Sequence, residues 1–171
     1  TVNIEGSGSV NENDESFTLS TDSATAISLT ASPSNGWYFD RWYGQELTDS
    51  SLASTMFQPT QNGSIAASFL RKSYSLNVSS SNGGDANGTG TYPYESNLKI
   101  QATATPGFMF TGWSGNTDGI DIFSSSIDLQ ILDQNLTLHA SFSPIPLTVT
   151  TSVSGTGSIL GAGTYDMGEI A

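Results

Sequence analysis

Gly36-Trp37-Tyr38-Phe39-Asp40-Arg41-Trp42-Tyr43-Gly44 returns as Gly107-Phe108-Met109-Phe110-Thr111-Gly112-Trp113-Ser114-Gly115. Phe39, Trp42 and Gly44 fall on Phe110, Trp113 and Gly115 at one offset of 71 residues (110 − 39). Ahead of the two stretches stand Ala31-Ser32-Pro33 and Ala104-Thr105-Pro106, whose prolines are 73 apart (106 − 33), as are Phe69 and Phe142 (142 − 69). The two spacings read as a two-residue indel between the blocks. A third, partial copy follows: Ile4-Glu5-Gly6-Ser7-Gly8-Ser9-Val10 matches Val153-Ser154-Gly155-Thr156-Gly157-Ser158-Ile159. Self-similarity at a fixed period is the mark of a tandem array.

Around these anchors the chain divides into a module over 1–72, a second over 73–146 and the first part of a third over 147–171. Helix periodicity is almost missing, and short alternating runs recur instead. Ala26 to Ala31, Leu98 to Ala104, Ser126 to Ile131 and Leu136 to Phe142 all alternate. The expected fold class is mainly β: tandem small modules, β-grasp-like or sandwich-like, with little helix. Each module reads as an opening hairpin, a middle strand, the aromatic strand and a closing hairpin. Gly6-Ser7-Gly8 and Gly155-Thr156-Gly157 supply opening turns, and Gln61-Asn62-Gly63 and Asp133-Gln134-Asn135 supply closing ones. Ser80 to Gly90 reads as a swollen, flexible opening turn. Leu52 to Phe57 reads as a strand, with a short helix capped by Asp49-Ser50-Ser51 as the alternative.

Composition narrows the function. Sixteen acidic residues against four basic ones give a net charge of -12. Such a surface neither tracks nucleic-acid phosphates nor approaches anionic headgroups. No apolar run has the length of a membrane span, and cysteine is absent. A surface rich in Ser, Thr, Asn and Gly and poor in Lys is of the kind found outside cells. The start at Thr1 fits a processed or excised segment.

The ordered motifs resemble the divergent B-repeat family first named from internalin-type surface proteins. Module two carries the pattern as Gly90-Thr91-Tyr92, Ala104-Thr105-Pro106, the Gly107 to Gly115 stretch and Ala140-Ser141-Phe142. Module one departs from it, with Phe17 in place of the tyrosine and Arg41 in place of the glycine before tryptophan. The resemblance implies a compact β module of bacterial cell-surface or extracellular proteins, serving as stalk, spacer or adhesive segment without catalytic residues.

Phe39, Trp42, Phe110 and Trp113 are three apart on their strands; a bulge near Arg41 or Gly112 turns each pair inward as core. Trp37, Tyr38 and Tyr43 are peculiar to module one and form the candidate sugar-stacking set, with Asp40 or Gln45 as hydrogen-bonding neighbours. The bland alternative puts Trp37 in the core and the tyrosines on the surface. His139, the only histidine, stands on an alternating strand without partners for nucleophilic or zinc chemistry, so the chain is read as no enzyme. Glu12, Asp14, Glu15, Asp118 and Asp121 are candidate Ca2+ ligands that do not follow the calcium-loop pattern, so no metal site or other cofactor is assigned. Asn87 is the best of four glycosylation sequons. Lys72 and Lys99 lack counterparts in module one, which argues against an isopeptide cross-link.

Three function classes follow. The first is a non-catalytic stalk or spacer whose partners are neighbouring repeats of the same chain. The second is a filament subunit that adds strands from 147–171 to another copy of itself; module one reads as complete from Val2 onward, without a groove for a donated strand. The third is an accessory module for a polysaccharide.

Overall fold

The computed structural model describes residues 1–20, 25–44, 47 and 50–166. Thr1–Tyr74 with Pro93–Glu95 forms one compact unit, and Ser75–Tyr92 with the chain from Ser96 forms a second. No helix occurs among the described residues. Unit 1 contains β1 (Val2–Glu5), β2 (Gly8–Val10), β3 (Ile27–Pro33), β4 (Trp37–Gly44), β5 (Ser54–Phe57) and β6 (Ile65–Arg71). Unit 2 contains β7 (Ser73–Ser80), whose first two residues belong to unit 1, then β8 (Gly84–Ala86), β9 (Gly90–Pro93), whose last residue belongs to unit 1, β10 (Asn97–Ala104), β11 (Phe108–Gly115), β12 (Ser126–Gln130) and β13 (Leu136–Pro144). The partial repeat adds β14 (Leu147–Val149) and β15 (Gly163–Tyr165).

Both units lay two small sheets over one core. Unit 1 has the orders β1-β6-β4 and β2-β3-β5; unit 2 has β11-β13-β7-β9 and β12-β10-β8. Neither expected hairpin forms. β1 and β2 enter opposite sheets, and so do β5 and β6. Gln61-Asn62-Gly63 is therefore a crossing between layers and not a two-strand turn. The reason is physical: a strand with one apolar side gains more from a seat on each side of a shared core than from local pairing alone. Ser80 to Gly90 is likewise no single loop, because β8 lies within it and pairs with β10. The alternative helix at 52–57 is replaced by β5, which runs antiparallel to β3; Asp49 lies outside the described residues.

The first strand of each unit pairs with its last in parallel. Val2 to Glu5 lie beside Ile65 to Ser68, and Leu76 to Ser80 lie beside Leu136 to Ala140. In unit 2 this pair is the middle of the four-stranded sheet; in unit 1, whose sheets have three strands each, β1 is an edge and β6 the centre.

The aromatic strands explain why the core survives a spacing of three. A bulge between Phe39 and Arg41, and another between Phe110 and Gly112, moves the register by one. Phe39 and Trp42 then share the inner face with ring centroids 5.4 Å apart, and Phe110 and Trp113 with centroids 5.6 Å apart. Phe69 and Phe142 meet Phe39 and Phe110 edge-on, each at 5.8 Å. The indole N–H of Trp42 donates to Leu52 O and that of Trp113 to Ser124 O, both at 2.9 Å. Each buried ring thus keeps its polar atom satisfied.

The turns before these strands correct the alignment of the prolines. Trp37 N–H donates to Ser34 O, and Phe108 N–H to Thr105 O. Pro106 therefore stands where Asn35 does, and not where Pro33 does. The 71-residue offset runs through β3 and β4, and the two-residue indel lies between β4 and β6.

Asparagines close the strand ends. Asn116 N–H donates to Thr137 O at 2.8 Å, and Thr137 N–H donates back to Asn116 Oδ1 at 2.8 Å. Asn11 does the same with Thr30, and Asn87 with Gln101. The side chain imitates a further peptide group and prolongs the ladder by one rung. Asn116→Ala is expected to cost about 0.5–1.5 kcal/mol, one hydrogen bond's net worth, while Asn116→Asp retains most of it. Urea midpoints of the two variants check this.

Candidate functional site

The outer face of β1-β6-β4 carries two of the three candidate sugar-stacking residues. Tyr38 stands opposite Leu70 and Tyr43 opposite Ala66, which separates them by about 13 Å at strand rise. Both are more than a third exposed, at 43% and 39%. Trp37 points the other way. It packs against the core of unit 1, with the Arg71 guanidinium 5.2 Å above its ring. The three do not form one platform. Asp40 and Arg41 form an exposed pair at 3.4 Å, of small energetic worth; Gln45 lies outside the described residues. In unit 2 the same face presents Met109 and Ser114, opposite Ser143 and His139.

Glu5 hydrogen-bonds the Tyr43 hydroxyl and holds its pKa above the ordinary phenol value, with slight desolvation acting in the same direction. A carboxylate that accepts from the phenol favours the neutral form. The contribution to stability is therefore present below the unfolded-state pKa and is lost as pH rises through the folded one. Glu5→Gln is expected to bring the Tyr43 titration back toward its ordinary position, read by ultraviolet difference absorbance.

His139 Nδ1 lies 2.9 Å from Ser79 Oγ across the parallel pair. Among the described residues no carboxylate hydrogen-bonds the ring, so the contact there has two members of a triad and not three. Among the described residues no three His, Asp or Glu side chains gather at metal-holding distance. Asp121 is engaged locally, its Oδ1 accepting from Phe123 N–H at 3.0 Å. Asn87 is exposed, and its Oδ1 accepts from Gln101 N–H at 2.9 Å, which leaves Nδ2 as its modifiable atom.

One concavity was not foreseen. A cavity of about 410 Å³ opens at the base of unit 1, with walls from Val2, Leu29, Phe57 and Ile65 and a rim that includes Leu19 and Asn62. Its size falls in the range of small-ligand pockets. No alternation pattern announces it, because a vacancy leaves no residue to read.

Comparison with curated proteins and with solved structures finds no match. A family model described as the divergent InlB B-repeat domain matches residues 1–73 and again 74–146. The two matches cover most of the chain and follow the repeat seen in the aromatic strands, the bulges and the parallel pairs. The chain belongs to the divergent InlB B-repeat family.

Proposed function

We propose that the chain is a load-bearing spacer, a run of β units from a bacterial surface or secreted protein that holds a distal function away from the cell. The parallel pairing of first and last strands in each unit carries this reading. Tension on the two ends of unit 1 pulls β1 and β6 in opposite directions along their own axes. The rungs between them are then loaded together in shear, and not opened one by one. Net acidity supports the role, since like-charged units resist collapse onto one another within about 10 Å at ordinary salt.

Single-molecule stretching tests it. Val2 N–H bonds Phe17 O, and Ile4 N–H bonds Ser16 Oγ, so strand alternation aims the amides of Asn3 and Glu5 at β6. Asn3→Pro removes one of those rungs. The expected trace has two unfolding events, and Asn3→Pro lowers the force of one while leaving the other unchanged. Equal forces in both chains would sink the reading.

The two half-exposed tyrosines on one face favour a second reading, adhesion to a neutral polysaccharide. Tyr38→Ala with Tyr43→Ala should release the chain from an insoluble neutral glucan without unfolding it, because unit 2 folds with Met109 and Ser114 at those places.

A further inference from the structure

Pro93–Glu95 belongs to the second repeat by sequence and to unit 1 by structure. Tyr94 is the reason. Its N–H donates to Lys72 O at 2.8 Å, and Lys72 N–H donates to Gly36 O at 2.8 Å. Just beyond the end of β6, Lys72 is therefore bonded on both sides, to the turn before β4 and to Tyr94. The Tyr94 carbonyl also accepts from Arg71 Nη1 at 3.4 Å. The same guanidinium lies over the Trp37 ring, 5.2 Å from its centroid.

The tyrosine ring is seated on Gly36. That glycine is buried and has φ +74, and the ring fills the space that a Cβ there would take. Any other residue at 36 would strain the backbone and displace the ring together. The turn that delivers the ring is itself held in a rare conformation, with Glu95 at φ 65. A non-glycine residue stays in that region where its surroundings over-determine it. Here the bonds to Lys72 and Arg71 and the seat on Gly36 fix the residue just before it.

We propose that Gly36, Trp37 and Arg71 form a seat for the repeat that follows, and that Tyr94 closes it as a clasp. The partner such a seat fits is an aromatic side chain presented on a tight turn. Unit 1 then draws one of its own stabilising side chains from the next repeat, so that the folding unit extends past the sequence repeat. The clasp also guards the point where the chain leaves unit 1, because Lys72 is hydrogen-bonded there on either side. This deepens the load-bearing reading without resting on it. The clasp acts on stability at equilibrium, and its failure would leave the shear geometry of β1 and β6 intact.

Hydrogen exchange of the full chain, read on peptides from β3 to β6 and from β10 to β13, tests the clasp. The slowest amides of a unit open only with the unit as a whole, so their rates report its stability. Tyr94→Ala removes a half-buried ring and is expected to speed the slowest amides of unit 1 by about tenfold or more. Those of unit 2 should keep their rates. Tyr94→Phe, which retains the ring, should leave both units as they are. Gly36→Ala should speed unit 1 as well, and the two alanine variants should not add, because a ring already displaced cannot be lost again. Acceleration confined to unit 2, where the sequence repeat places Tyr94, would overturn the proposal, as would equal acceleration of both units or of neither. A full Tyr94→Ala effect in a chain already carrying Gly36→Ala would overturn it too, since the ring would then be acting away from its seat.

Discussion

Trp113→Ala is expected to destabilise unit 2 by about 3–5 kcal/mol, the range for emptying a large aromatic from a core. Trp113 is 4% exposed, so almost the whole ring is lost from contact. Its packing against Phe110 goes with it, and Ser124 O loses its donor. Native domains stand only about 5–15 kcal/mol above their unfolded states, so the change removes a large fraction of the margin. Urea unfolding followed by circular dichroism should show the unit 2 transition falling steeply while that of unit 1 keeps its midpoint. A fall below about 1 kcal/mol, within the ordinary range for single substitutions, would show that Trp113 is not the centre of the core. Trp113→Phe should cost less, because it keeps the ring contact and gives up mainly the indole hydrogen bond.

The second large effect is expected at a glycine. Gly115 has φ +104, and a Cβ there would stand 2.3 Å from Thr137 O. Gly44 repeats the arrangement with φ +116 and a Cβ position 2.5 Å from Ser64 O. Backbone strain of this kind costs about 1–3 kcal/mol, and the clash with a fixed carbonyl on the neighbouring strand adds to it. Gly115→Ala should therefore lose about 3 kcal/mol or more, with a matching loss for Gly44→Ala in unit 1. Gly112 separates the two causes. Its φ is +154, so a Cβ there carries the backbone strain, but the nearest atom is Ile122 O at 3.4 Å and the clash is missing. Gly112→Ala is expected to cost about 1–3 kcal/mol, less than Gly115→Ala. Denaturant midpoints of the three variants, measured side by side, decide the ranking.

The sequence made the strands and the core aromatics readable because both depend on local periodicity. Phe39 and Trp42 could not share a face without an extra residue between them, so the bulge was implied before it was seen. Partner choice was not readable in the same way. Alternation in Leu136 to Phe142 says which side is buried, and nothing about whether the neighbour is β12 or β7. Turn-like residues at Gln61-Asn62-Gly63 suggested a hairpin, although the two strands they join serve different sheets. The prolines misled for a related reason: Pro33 ends a strand while Pro106 sits in a turn, and identity of residue concealed a difference of place. Trp37 and Tyr38 are neighbours in sequence, and the pleat sends them to opposite faces. The cavity was least visible, since an opening leaves no residue of its own to read.

The parallel pairing of first and last strands has a consequence for how each unit comes into being. β6 is the centre of its sheet and the last strand of unit 1 in chain order, so no partial chain can assemble that sheet. Contacts between residues so distant in sequence fold slowly, because loop closure precedes any return. A unit emerging residue by residue, from a ribosome or through an export channel, would stay open until its final strand arrived.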